Sequence, residues 1–226
     1  MLKADLHSHT HYSRDCITSP EQYVRRCLKL GINCVAVTDH NSIDGALAVQ
    51  RIAPFKVIIA DEIKTADGEL TGLFLQEAVP PGLTPEETIE RVKAQGGLVS
   101  LPHPFDRIRR EPLRDHARER ILRDLDVIEV FNSRTTFRSD NEKARQLAEE
   151  LGLPMGAGSD AHSPWELGTT YVEMPDFEGP QEFLQALRQG RIVGRPANPL
   201  VHVISTLAKV RSRLGWGARP LTGTWV

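Results

Sequence analysis

The chain has 226 residues, 40% of them hydrophobic, which is enough apolar mass for one core and within the size at which an α/β barrel forms a single domain. A formal net charge of −2 gives no electrostatic case for a duplex-binding surface, although a few local arginines suffice for a small anion. Three cysteines, Cys16, Cys27 and Cys34, odd in number and without CxxC spacing, argue against a disulfide framework or a zinc ribbon and read as reduced thiols of a cytosol.

Along the chain, short apolar runs alternate with segments of helical period, the pattern of repeated βα units around a parallel sheet. Strands are predicted at Lys3–Leu6, Cys34–Thr38, Val57–Ala60, Leu98–Leu101, Val127–Phe131, Met155–Ala157 and Arg191–Gly194. Helix starts and stops fall between them. Thr18-Ser19 caps Pro20–Leu30, which Gly31 stops; Pro85, Glu86 and Glu87 open Thr84–Gln95, which Gly96-Gly97 end. Arg138–Leu151 and Gly179–Gln189 end the same way, at Gly152 and Gly190. Ala66-Asp67-Gly68 is a turn signal between Val57–Glu62 and Glu69–Leu75, so a hairpin is expected to interrupt the βα alternation. Residues 1–200 are assigned to the barrel; residues 201–226, with a helical run at Ile204–Leu214, form a tail that packs on its outside or frays. Trp165 is expected to pack. No basic-then-apolar leader opens the chain and no apolar run approaches membrane-spanning length, so a soluble cytoplasmic protein with no membrane partner is expected.

Polar residues able to bind metal follow the predicted strands: His7 and His9, then His40, Glu62, His103, and finally Asp160 and His162. In a parallel barrel the C-terminal strand ends open on one face, so these side chains converge there, with Asp15 and Asn132 within reach from adjoining loops. Taken alone, each has a plainer reading. A lone strand-end His is more often a hydrogen-bonded surface or core residue, as His116 and His202 are read, and Glu62 alone would be a loop carboxylate; His11 is split evenly between the edge of the site and solvent. Collectively the plain reading fails, because five of the eight histidines would sit at apolar strand ends by accident.

Asp5-Leu6-His7-Ser8-His9 with Tyr12-Ser13-Arg14-Asp15, then Thr38-Asp39-His40, Pro102-His103-Pro104 and Gly158-Ser159-Asp160-Ala161-His162 resemble, in order, the four motifs of the PHP (polymerase and histidinol phosphatase) superfamily. Four motifs in order are specific where any one would be weak. The resemblance implies a distorted seven-stranded, TIM-like (β/α) barrel that hydrolyses phosphoesters with a metal-bound hydroxide at a di- or trinuclear site. By position, it implies one metal on His7, His9, Glu62 and Asp160, a second bridged by Glu62 and taking His103, and a third among Asp15, His40 and His162. It places catalytic roles on Glu62, Asp160 and His162. One departure stands out: many members carry another His between the bridging Glu and Pro-His-Pro, whereas this chain reads Gly68-Glu69-Leu70-Thr71-Gly72, leaving the second site weak, completed by water or assisted by Glu69.

Clustered divalent ions supply what phosphoester cleavage needs, neutralising negative oxygens and lowering the pKa of a water. Imidazole and carboxylate without thiolate suit zinc, manganese or iron, two or three ions in all. Asp39 and Asp5 are candidates to orient imidazoles or simply to cap strands. Phosphate recognition falls to guanidinium groups: Arg107, Arg109 and Arg110 after Pro-His-Pro, and Arg134 beside Asn132, with only one or two expected to touch substrate. The favoured substrate is a small phosphorylated metabolite or nucleotide. A nuclease acting on oligonucleotide ends is the alternative, with a nucleic acid polymer disfavoured by the lack of a basic groove. A catalytically weak metal-binding accessory protein and a non-phosphate amidohydrolase complete the field.

Overall fold

Nine strands and six helices follow one another in the described part of the chain. The strands are β1 (Leu2–Ser8), β2 (Cys34–Val37), β3 (Lys56–Thr65), β4 (Gly68–Leu73), β5 (Leu98–Leu101), β6 (Val127–Asn132), β7 (Met155–Gly158), β8 (Thr170–Met174) and β9 (Arg191–Gly194). The helices are α1 (Pro20–Leu30), α2 (Asp44–Ile52), α3 (Pro85–Ala94), α4 (Asp115–Ile121), α5 (Arg138–Leu151) and α6 (Gly179–Arg188). The computed structural model describes residues 1–108 and 112–197; Arg109, Arg110 and the expected tail helix lie outside them.

The predicted helix ends are seen in detail. Ser19 and Gln22 form a capping box at α1, with Pro20 in the first turn and Gly31 in the left-handed region at φ 69°. Thr84 and Glu87 form the same box at α3. The two helices not predicted, α2 and α4, have no side-chain cap at the start and no glycine at the stop, so neither end is marked in the sequence.

All nine strands join one sheet, in the order β7-β6-β5-β4-β3-β2-β1-β8-β9. This corrects the expected count of seven. β4 enters as the antiparallel hairpin partner of β3 and also pairs antiparallel with β5, while Thr170–Met174, passed over as a strand despite its period-two burial, lies antiparallel beside β1. The remaining neighbours from β1 to β3 and β5 to β7 run parallel. The sheet curls until β7 reaches β1: Ser8 bridges Ala161, the Asp160 amide donates to the His7 carbonyl at 2.6 Å and the His9 amide to the Ala161 carbonyl at 3.0 Å. Glycine is required at this seam. A Cβ on Gly158 would lie 2.3 Å from that of His7.

Inside the sheet, Leu2, Ala4, Leu6, Ala36, Ile58, Ala60, Leu73, Leu98, Val127 and Ala157 form the core, and Phe177 and Phe183 close its floor against Phe74 with edge-on ring contacts at 5.2–6.2 Å. A second apolar layer outside the sheet takes Ile89 and Val92 of α3, Ile121 of α4, and Ala144 and Ala148 of α5.

Candidate metal centre

Two β-bulges turn polar side chains into the barrel mouth. On β1, Asp5 pairs with Val35 but Ser8 with Val37, so β1 carries one residue more than β2 over that stretch. As a result the consecutive Leu6 and His7 both line the interior, Leu6 in the apolar core and His7 above it. On β6 the extra residue falls between Glu129 and Phe131, and Asn132 then bonds inward to Glu129 at 3.1 Å and to Asp160 at 3.0 Å.

Glu62, 1% exposed, is the hub. Its Oε1 lies 2.9 Å from His103 Nε2 and 3.3 Å from His7 Nε2; its Oε2 lies 3.3 Å from His40 Nδ1 and 3.5 Å from His9 Nε2. Asp160 Oδ1 stands 3.4 Å from His9 Nε2 and 3.8 Å from His7 Nε2. Asp15 Oδ2 lies 3.3 Å from His162 Nε2 and 3.6 Å from His40 Nε2. All eight predicted ligands, His7, His9, Asp15, His40, Glu62, His103, Asp160 and His162, therefore meet in one pocket. His103 and Asp160 do so with positive φ, 26° and 53°, a strained backbone of the kind that gathers at functional sites.

Three imidazoles are oriented from behind. His7 Nδ1 lies 3.1 Å from Glu129 Oε1, and His162 Nδ1 lies 2.8 Å from the Asp160 carbonyl; both partners only accept, so each Nδ1 carries the proton. The Ser13 hydroxyl donates to Asp39 at 2.6 Å, which leaves its oxygen to accept from His9 Nδ1 at 3.3 Å. Each ring is thereby turned with its Nε2 toward the common space. Asp39 also accepts from Thr10 and from the Ser13 amide, so it fixes the loop after β1 and reaches His9 through Ser13. Asp5 takes the other expected role, capping strand backbone at Ser159 and Gly168.

The electrostatics favour positive charge in the pocket. Burial opposes charge on Glu62, yet His7, His103 and His40 hold its carboxyl well below the usual range. Burial also opposes protonation of His7, but Glu62, Glu129 and Asp160 keep it well above that of an ordinary imidazole, and Asp15 and Glu62 lift His40 to about 10 against the same opposition. His9, buried and facing His162 and His40, falls to about 3. With protons alone, the cluster can balance its buried carboxylates only by charging buried imidazoles. Divalent ions compete directly with those protons. The donor set passes this test of fit: His7 Nε2, His9 Nε2 and Glu62 Oε2 are buried and make no hydrogen bond, and the candidate groups among the described residues contain imidazoles and carboxylates but no cysteine.

The predicted anion-binding residues are placed differently from one another. Asn132 touches the cluster through Asp160. Arg134 is buried 3.5 Å from Glu166, which in turn accepts from the His162 amide and the Ser163 hydroxyl. Arg107 pairs with Asp140 of α5 at 2.9 Å and stacks on Phe137. Trp165, expected to pack, is 68% exposed, on the turn whose Ser163 and Glu166 ends are tied together. His116 pairs with Asp67 at the surface, as its plain reading implied. Sequence reasoning missed Glu129 and Glu166. The signal for Glu129 was a lone acid inside Val127-Ile128-Glu129-Val130-Phe131, which a central strand tolerates only with buried partners.

A barrel mouth in which imidazoles and carboxylates from most strands meet, oriented by further carboxylates, defines a metal-dependent hydrolase. Residues 5–99 match the family model described as the PHP domain and residues 138–192 that described as PHP-associated. The chain belongs to the PHP superfamily. It is 38% identical over 198 residues to the uncharacterized protein MJ0417 of Methanocaldococcus jannaschii, covering 83% of this chain and 79% of that one. Among solved structures, it resembles a two-domain protein from Bacteroides vulgatus containing a predicted PHP-like metal-dependent phosphoesterase, with TM-score 0.68, 20% identity and 86% of this chain covered. It also resembles the lesion-specific endonuclease PfuEndoQ of Pyrococcus furiosus, with TM-score 0.60, 18% identity and 88% covered. The chain spans 65% of the first of these structures and 59% of the second. No helix among the described residues is long and apolar enough to cross a membrane.

Proposed function

We propose that this protein is a phosphoesterase that hydrolyses a small phosphorylated metabolite or nucleotide with two or three divalent ions, zinc, manganese or iron, at the barrel mouth. The observation that carries the proposal is Glu62, whose two carboxylate oxygens are shared among His7, His9, His40 and His103 within 3.5 Å. His7, His9, Glu62 and Asp160 would hold one ion, Glu62 and His103 a second, and Asp15, His40 and His162 a third. Such ions supply charge neutralisation of the phosphate and lower the pKa of an attacking water.

The chain's own groups do the rest. Glu129, Ser13 and the Asp160 carbonyl keep three imidazoles in the tautomer that presents Nε2 inward. Asn132 holds the Asp160 carboxylate in place through its Nδ2. The Arg134–Glu166 pair fixes the turn that carries His162, and Arg134 and Arg107 are the side chains assigned to the phosphate. Release of phosphate from a panel of monoesters, with manganese, zinc or iron added, tests the proposal. Turnover abolished by Glu62→Gln is the expected result; no metal-dependent turnover of any phosphorylated compound would sink it.

A nuclease is the second reading, supported by the fold shared with the Pyrococcus endonuclease. End-labelled single strands and lesion-bearing duplexes at low salt separate the two: cleavage of these with no monoester turnover favours the nuclease.

A further inference from the structure

Glu69 sits where the sequence departs from its family, and the structure gives it a definite position. β4 runs antiparallel to its neighbours, so it enters the sheet at the mouth and descends, and Gly68 and Glu69 are its uppermost residues. Thr71 and Leu73 line the interior beside His7, and period-two alternation puts Glu69 on the same face, one step higher. There it is 3% exposed. Its Oε1 lies 3.7 Å from His40 Nδ1 and its Oε2 lies 3.8 Å from His103 Nε2.

Those separations are too long for hydrogen bonds. They are close to the spacing of donors that share an ion, since ion–ligand distances of about 2.0–2.2 Å set neighbouring donors roughly 3–3.5 Å apart. Beside it, Glu62 Oε2 is buried and makes no hydrogen bond. The oxygens of Glu69 thus face two candidate ligands contributed by different strands, across a space that a buried atom of a third already borders.

We infer that Glu69 is a metal ligand beside Glu62, grouped with His40 and 3.8 Å from His103, where the family pattern carries an imidazole. The inference rests on the metal-site reading above, though not on the reaction. It has a consequence for metal identity: exchanging a nitrogen donor for a carboxylate moves that position away from zinc and toward oxygen-preferring ions such as manganese. The plain competitor is an ion pair with Lys64, the exposed residue directly opposite Glu69 on β3.

Equilibrium dialysis against manganese and against zinc, followed by elemental analysis, tests this without any substrate. Glu69→Gln should lose about one equivalent of manganese per chain, or bind that equivalent at least 10-fold more weakly, while Lys64→Ala binds as the parent does. Glu69→His should retain the equivalent but shift its zinc-over-manganese preference upward by 10-fold or more. Circular dichroism and melting in chelator establish that each variant is folded; if Glu69→Gln is not, Glu69→His and Glu69→Asp carry the test. Parental stoichiometry and affinity in Glu69→Gln, or an unchanged metal preference in Glu69→His, overturns the inference. Because dialysis reads binding alone, a protein that loads metal through Glu69 yet turns over no phosphoester would sink only the proposed activity.

Discussion

The floor and the mouth of this barrel are built from the same strands by opposite rules. At the floor, Leu2, Ala4, Ala36 and Ile58 leave room for Phe177 and Phe183 in an apolar cluster, with the Lys56 ammonium over the Phe177 ring. A few residues further along the same strands, the mouth buries Glu62, Asp160 and Glu129 among imidazoles, with positive φ at two candidate ligands. The floor supplies stability that the mouth consumes; the bulges on β1 and β6 mark the change from one rule to the other.

If that division holds, variants at the two ends should fail in different ways. Phe183→Ala should cost about 3–5 kcal/mol by opening a cavity at a fully buried aromatic. Chemical denaturation in chelator measures this, and metal stoichiometry in the protein that stays folded should be unchanged; coupled loss of metal would break the division. Stripping metal from the intact protein should remove about 2.7 kcal/mol relative to free metal at about 100 times its dissociation constant, seen as a lower melting temperature. Melting that ignores both chelator and added metal would mean that the mouth is no sink of stability. Glu129→Gln should weaken metal binding about 10–100-fold, the usual effect of losing a carboxylate behind a ligating imidazole, with little change of melting in chelator. The smallest effect is expected away from both ends: Thr84→Ala removes one member of the α3 capping box and should cost about 1 kcal/mol while leaving metal affinity untouched.

The two ends were unequally legible in the sequence. Motif residues such as His7, His9, His103 and Asp160 follow parallel strands, where strand direction alone predicts convergence. Glu69 breaks that rule, because an antiparallel strand presents its first residues to the mouth and not its last. Glu129 was hidden for another reason: a single extra residue on β6 changes which side chains face inward, and no local propensity announces it. The floor was opaque as well. Phe183 belongs to a helix whose boundaries were plain, but nothing in the helix says which opening of the barrel it covers. β8 was missed although Thr170-Tyr171-Val172-Glu173-Met174 alternates cleanly in burial, because the parallel strands of βα units are continuous apolar runs and this antiparallel strand is not.

The seam at Gly158 carries a kinetic corollary. Ser159 bonds to Asp5 across 154 positions of chain, and the Asp160 amide and His7 carbonyl meet beside it. Joining ends so far apart is entropically slow, and during synthesis the first strand leaves the ribosome long before its partner exists. His7, His9 and Asp160 cannot meet until the later segment has been made, so ion uptake at that position should be among the last events of maturation.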